Sequence, residues 1–345
     1  MLASRLFSAC IILGCVFSCI ALDGYFPIGG QSGVWMLPIF ALLSLGTAWE
    51  MSQMMAAKWP MVIANRVLFG AVVASLAGIF PILYGLMMRR PYPTDCPVGK
   101  LGWIVIGQFV AFMLLAIDAM FRYTKADREH GHDAAAEVAH GWLLSLAPIA
   151  YVIAPMSVWW SVLLHRSTPM ESSPLGSLPL GATLLETAPA AAMAGMSTAA
   201  TASGFGMAHV IGIVLIVKMA DSGAYFVGKR MGRTKLAPVI SPGKTVEGLM
   251  GGFVVAGLSA YIYYKAILPG LGISLGGTLW GPAVMAGLLT TGGVVGDLTE
   301  SMVKRAAGFK DSGVSIPGLG GIWDVTDSLI PAAILGYLGV LANLY

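Results

Sequence analysis

Val67-Leu-Phe-Gly-Ala-Val-Val-Ala-Ser-Leu-Ala-Gly-Ile-Phe-Pro-Ile-Leu-Tyr-Gly-Leu-Met-Met88 carries no charge from end to end. A helix rises about 1.5 Å per residue, so this run is long enough to cross the roughly 30 Å hydrocarbon core of a bilayer. Working outward from it, further apolar stretches fall at 7–22, 34–48, 102–121, 142–164, 206–220, 247–267, 279–297 and 322–343. Together they predict an all-α polytopic membrane bundle of about nine spans. The bulk numbers agree. Of 345 residues 57% are hydrophobic and 11% charged, with 20 Lys+Arg against 17 Asp+Glu. Mean hydropathy is +0.79, and so few charges cannot coat a globule of 36.0 kDa, which excludes a soluble enzyme.

A net charge of +3 gives no case for nucleic acid. Cys10, Cys15 and Cys19 share one apolar segment and Cys96 is alone, so no disulfide framework is expected. The 44 glycines fit close helix packing in lipid and backbone that approaches a ligand. Orientation follows the basic residues. With the N-terminus inside, the cytoplasmic segments hold Arg5, Lys58, Arg66, Arg122, Lys125, Arg128, Lys229, Arg230, Arg233, Lys235, Lys244, Lys304, Arg305 and Lys310. The opposite side holds Arg89, Arg90, Lys100, Arg166 and Lys265, while Lys218 falls within the sixth span.

Arg5, an apolar run and Ile12-Leu-Gly-Cys15 loosely resemble a lipoprotein signal, but the run is short and an uncleaved first helix is expected. Residues 166–205, rich in Ala, Ser, Thr, Pro, Gly and Met, are expected to form an external loop with an interfacial helix around 180–200. This divides the chain into an N-terminal transmembrane region, 1–205, and a C-terminal catalytic region, 206–345.

The acids carry the chemistry. From Asp221 onward they are Asp221, Glu247, Asp297, Glu300, Asp311, Asp324 and Asp327, and by alternation all fall on the cytoplasmic side. Ionisable groups at membrane borders are costly unless paired or metal-bound, so they mark function by default. Asp297/Glu300 and Asp324/Asp327 are each spaced i, i+3, which puts each pair on one helix face. Oxygen-only ligands suit Mg²⁺, and bases on the same side suit phosphate, together indicating phosphoryl or nucleotidyl transfer. Gly243-Lys-Thr245 has the look of a P-loop, but the first glycine of that motif would fall on Pro238 and no strand is expected there, so a Walker A reading is rejected. A Ser-Pro turn presenting Lys244 and backbone N–H groups at a helix start can still bind phosphate.

Three blocks carry a resemblance: Asp221-x-Gly-Ala-Tyr-Phe-x-Gly228; Ile240-Ser-Pro-x-Lys-Thr-x-Glu-Gly248; and Gly296-Asp-Leu-x-Glu-Ser301-x-x-Lys-Arg305-x4-Lys310-Asp311-x-Gly313-x-x-Ile-Pro-Gly-x-Gly-Gly321-x-x-Asp324-x-x-Asp327-Ser328. In this order they strongly resemble the phosphatidate cytidylyltransferase (CDP-diacylglycerol synthase) family. The family has a histidine where this chain has Leu319 and an arginine where it has Val325. The resemblance implies a reaction of CTP with phosphatidate that gives CDP-diacylglycerol and pyrophosphate, with Mg²⁺ and room for a second metal ion. By carry-over Asp297 and Asp324 look like the metal carboxylates, with Asp221 and Asp327 nearby. Lys304, Arg305 and Lys310 would sit on phosphates, and Ser241 and Lys244 on the triphosphate. Glu247 or Asp311 would orient a base, with Gly320 and Gly321 on the substrate side. The family also suggests a homodimer in the cell (inner) membrane, multi-pass, with its active site on the cytoplasmic side.

Other signals point elsewhere. His130, His132, Asp133, Glu137 and His140 read as a solvated face, and His209 as a packed residue. Trp159, Trp160 and Trp103 read as interface anchors, and Met51–Met55 with Lys58 and Trp59 as an amphipathic helix on the cytoplasmic surface. Two alternatives stay open: a CTP-dependent lipid kinase, which would move the γ-phosphate, and an ion-coupled transporter, which should place its carboxylates at the midplane of both halves.

Overall fold

The computed structural model describes residues 2–26, 28, 33–88, 92–93, 96–163, 184–271, 273, 275 and 277–345. It is almost wholly helical: α1 (Leu2–Tyr25), α2 (Leu37–Lys58), α3 (Ala64–Met88), α4 (Gly99–His130), α5 (His132–Pro148), α6 (Ala154–Leu163), α7 (Leu184–Met231), α8 (Val246–Ile262), α9 (Leu268–Gly270), α10 (Gly281–Ala307), α11 (Ile322–Thr326) and α12 (Leu329–Leu341). Among the described residues seven stretches are long and apolar enough to cross a membrane: Val34–Lys58, Ala64–Met88, Gly99–His130, His132–Leu163, Gly206–Met231, Val246–Gly270 and Ile322–Leu341. Two of the nine expected spans are not among these seven, for two reasons. The apolar part of α1 is only Cys10–Asp23, and glycines and threonines dilute the apolar face of α10. Of the expected external loop, 164–183 lies outside the described residues, and from Leu184 the backbone runs as helix into the sixth span.

Small residues set the helix spacing, because lipid offers no hydrophobic drive to bring apolar helices together. On α3 the buried stripe runs Val67, Gly70, Ala71, Ala74, Ser75, Gly78, Pro81, Ile82 and Gly85, while Phe69 and Leu76 face outward. A Cβ on Gly78 would stand 3.2 Å from Ser157 Oγ of α6. Between α7 and α8 the approach is tighter: a Cβ on Gly248 would come 2.7 Å from the Ala224 carbonyl oxygen. Two surface assignments are corrected. Trp159 and Trp160 are 1% and 4% exposed and both contact Phe40, so they fill the core. Met51, Met54 and Met55 are buried because α2 runs unbroken to Lys58, where the sequence pattern suggested a separate surface helix. His209 is fully buried, and His132 is exposed beside Asp127.

Two local irregularities place functional groups. Between α5 and α6, after Pro148, the helix widens into one π-helical turn, Ile149–Ile153, and from it the Tyr151 hydroxyl donates to the Gly296 carbonyl of α10 at 3.3 Å. Between α7 and α8 the chain forms an antiparallel hairpin, β1 (Lys235–Ala237) with β2 (Ser241–Thr245), in the register Lys235↔Thr245 and Ala237↔Ser241. No strand was expected here. Pro238 and Pro242 bar a helix, and cross-strand pairing is the remaining way to satisfy the backbone. Thr245 then caps α8, its hydroxyl accepting from Gly248 N at 3.1 Å.

Candidate active site

The third motif block folds as α10, a glycine-rich loop and the α11–α12 junction. Gly296 is the pivot: a Cβ there would overlap the Asp327 carbonyl, so only glycine lets α10 lie against the start of α12. That contact sets Asp297 beside Asp327. Asp297, Glu300 and Lys304 share one face of α10, as i, i+3 and i+7 spacing requires. Carboxylate oxygens of Asp297, Glu300 and Asp327 lie within 4.8 Å of one another. Glu300 and Asp327 are buried and Asp297 is half-buried.

Lysines brace these acids. Lys244, carried in by β2, pairs with Asp297 Oδ2 at 2.6 Å. Lys304 Nζ bridges Glu300 Oε1 and Asp324 Oδ1, both at 2.7 Å. Lys218 of α7 donates to the Val325 carbonyl at 3.2 Å and to Ser328 Oγ at 2.9 Å, and lies 3.6 Å from Asp221 Oδ2. Three ammonium groups thus face five carboxylates: Asp221, Asp297, Glu300, Asp324 and Asp327. The negative excess and the all-oxygen donor set fit a hard divalent cation such as Mg²⁺.

The residues expected at the site separate into groups. Asp297 and Asp327 join the three-carboxylate set together with Glu300, which the sequence pairs with Asp297 by spacing but the family carry-over left out. Asp324 stands beside the set with its oxygens engaged: besides Lys304 it accepts from Gly321 N at 2.8 Å, Ser312 Oγ at 2.9 Å and Ser312 N at 3.1 Å. Asp221 is exposed next to Lys218. Glu247 accepts from Arg233 N at 3.0 Å and Thr234 N at 3.1 Å, which ties the end of α7 to α8. Ser241 lies in the hairpin, paired with Ala237. Arg305 and Lys310 are exposed, on the last turn of α10 and in the loop after it. Asp311 and Gly320 line an open cleft of about 340 Å³ with Val314, Ile316 and Leu319. The cleft wall turns tightly, with Ile316 N donating to Gly320 O at 2.8 Å and Gly320 at φ 101°.

One residue was missed altogether. Glu50 of α2, from the half of the chain outside the motif blocks, reaches the glycine loop. Its Oε1 accepts from Ile322 N at 2.9 Å and from Ser315 Oγ; its Oε2 accepts from Trp323 N at 3.0 Å and Ser312 Oγ at 3.1 Å. Nearby, Thr47 and Thr326 share a 2.7 Å hydrogen bond. The sequence signal available was an acid two residues beyond the apolar stretch 34–48.

The profile of the cytidylyltransferase family matches residues 3–342. The chain belongs to this family. The match runs through the N-terminal half that carries Glu50 as well as the motif-bearing half. Among curated relatives, phosphatidate cytidylyltransferase of Haemophilus influenzae is 41% identical over 133 residues, 37% of this chain and 43% of that protein. The Brucella suis phosphatidate cytidylyltransferase is 41% identical over 134 residues, 39% and 47% of the two chains. That of Staphylococcus aureus (strain COL) is 42% identical over 127 residues, 36% and 46%. The alignments thus span rather less than half of each of these family members.

Proposed function

We propose that the protein transfers the cytidylyl group of CTP to phosphatidate, giving CDP-diacylglycerol and pyrophosphate. The observation that carries this reading is the oxygen set of Asp297, Glu300 and Asp327, with Lys244 paired to Asp297 and Lys304 to Glu300. A phosphate oxygen of the lipid attacks the α-phosphorus of CTP; that O–P bond forms as the bond from the α-phosphorus to the bridging oxygen breaks, and pyrophosphate departs with the electron pair. The nucleophile is already ionised near neutral pH, so no strong base is needed. The difficulty is repulsion between two anions, which positioned cations relieve. Mg²⁺ bound between Asp297, Glu300 and Asp327 would neutralise triphosphate charge. Asp324 holds Lys304 in place, and Asp221 holds Lys218. Lys244 and Lys304 turn toward phosphate, with the exposed Arg305 and Lys310 gathering the nucleotide. The basic residues grouped at this end support a cytoplasmic active site in the inner membrane.

The test uses detergent-purified protein with phosphatidate, Mg²⁺ and CTP labelled on the α- or the γ-phosphate. Label from the α-position should enter the lipid and be lost with Asp297→Asn. Transfer of γ-label alone would establish the kinase reading instead, and movement of neither label would overturn both.

A further inference from the structure

We propose that Glu50 is a positioning residue for the reaction: from α2 it clamps the 312–323 loop and so fixes where Asp324 and Lys304 stand. The inference rests on the cytidylyl-transfer reading for what the loop does, and on geometry alone for what holds it.

Glu50 is 6% exposed and lies within Val34–Lys58, a stretch long and apolar enough to cross a membrane. A carboxylate placed there is costly unless fully hydrogen-bonded. Its partners are neutral donors, two backbone N–H groups and two serine hydroxyls, and all four belong to one segment of twelve residues, Ser312 to Trp323. The loop is shaped to receive it. A Cβ on Gly313 would stand 2.9 Å from Glu50 Oε1, and one on Gly321 would overlap Oε2. Two glycines of the motif therefore leave room for a side chain from the other half of the protein.

Ser312 links Glu50 to the site. Its hydroxyl lies 3.1 Å from Glu50 Oε2 and 2.9 Å from Asp324 Oδ2, and its N–H donates to Asp324 at 3.1 Å. One hydroxyl proton serves one acceptor at a time, so the two carboxylates share it. Asp324 shares Lys304 with Glu300, a member of the three-carboxylate set. The relay is thus Glu50, Ser312, Asp324, Lys304, Glu300. If sealing α2 against α11 were the whole task, apolar contact would serve; the Thr47–Thr326 bond and the close approach of Gly46 to Ile322 already do it. What a doubly charged grip on one loop adds is fixed position, and misplacement of a reacting group by about 1 Å can cost on the order of a hundredfold in rate.

The experiment compares wild type with Glu50→Gln, Glu50→Asp, Ser315→Ala and a control, Thr47→Val, which loosens the same helix contact without touching the loop. Three quantities are read: kcat and KM for CTP, amide hydrogen exchange of 311–323, and apparent melting temperature. With Glu50→Gln, where an NH₂ replaces an acceptor of two donors, kcat should fall about tenfold to a hundredfold. KM for CTP should change by less than about threefold, and exchange in 311–323 should rise while peptides of α7 and α8 stay as they were. Glu50→Asp should recover part of kcat. Ser315→Ala should shift exchange in the same direction by less, which keeps the inference testable if Glu50→Gln does not fold. Thr47→Val should lower the melting temperature with kcat unchanged. Unchanged loop exchange in Glu50→Gln, or a kcat loss that Thr47→Val reproduces at equal loss of melting temperature, overturns the inference. If wild type moves no label from CTP, the substrate reading fails, and loop exchange still decides the role of Glu50.

Discussion

Lys304→Met is the most informative single change, because the methionine keeps most of the volume and deletes only the charge. Lys304, Glu300 and Asp324 have side chains 11%, 3% and 14% exposed, so the lysine bridges two acids in a largely water-free place. Removing one partner of a buried ion pair typically costs about 3–5 kcal/mol, since an uncompensated charge is left behind. Asp324 keeps three other donors, Gly321 N, Ser312 N and Ser312 Oγ, so the low end of that range, about 3 kcal/mol, is expected. At roughly 2 °C per kcal/mol for a long chain, the apparent melting temperature should drop by about 6 °C. Intrinsic tryptophan fluorescence in detergent, scanned at one fixed rate, reads it. Adding Glu300→Gln neutralises the stranded acid and should restore at least half of the loss, a coupling that only contacting residues give. A melting temperature within about 1 °C of wild type, or a double variant worse than Lys304→Met, would refute the argument that this charge triad is a closed unit.

Three further outcomes follow from the geometry. Lys244→Ala should raise KM for CTP by about tenfold, on the order of the 1.4 kcal/mol that a decade represents, with a smaller change in kcat. Asp327→Asn should raise the Mg²⁺ concentration needed for half-maximal rate by about tenfold or more, because it removes a charged ligand from the three-carboxylate set; titration at saturating CTP checks this. Lys218→Met should lower kcat, and Val325→Arg in the same chain should restore part of it, since an arginine at 325 returns a cation to the residue whose carbonyl Lys218 now holds. Failure of the second change to help would assign Lys218 a purely structural part.

Much of this protein is legible in its sequence, and the boundary of what is legible is physical. An uncharged run such as Val67–Met88 states its own solvent, and i, i+3 spacing brings Asp297 and Glu300 together on α10, whereas the same spacing leaves Asp324 beside the set that Asp327 joins. Span count is harder. Whether α10 reads as a span depends on glycines that make it less apolar while making it a better packing partner, as Gly292 and Gly296 do against α12. Trp159 and Trp160 look like interface anchors because tryptophan favours both the interface and the core, and only Phe40, far away in sequence, decides which. Glu50 was out of reach for the same reason. Its partners are 262 or more residues away, all of them backbone or serine groups, and nothing local marks an acid that will be hydrogen-bonded by a distant loop.

The π-helical turn at Ile149–Ile153 bears on how the N-terminal half can vary. A regular helix turns about 100° per residue, so one extra residue accommodated in a widened turn sets the helix after it out of phase with the helix before it. The stretch His132–Leu163 therefore presents two differently phased faces: Gly141 and Ser145 ahead of the turn, Trp159 and Val162 beyond it. Loss of a single residue within 149–153 would turn the following helix by about 100° against its neighbours and withdraw Tyr151 from Gly296. Insertions and deletions elsewhere in that rod face the same arithmetic, so a one-residue length change there should cost more than one in the connections between helices.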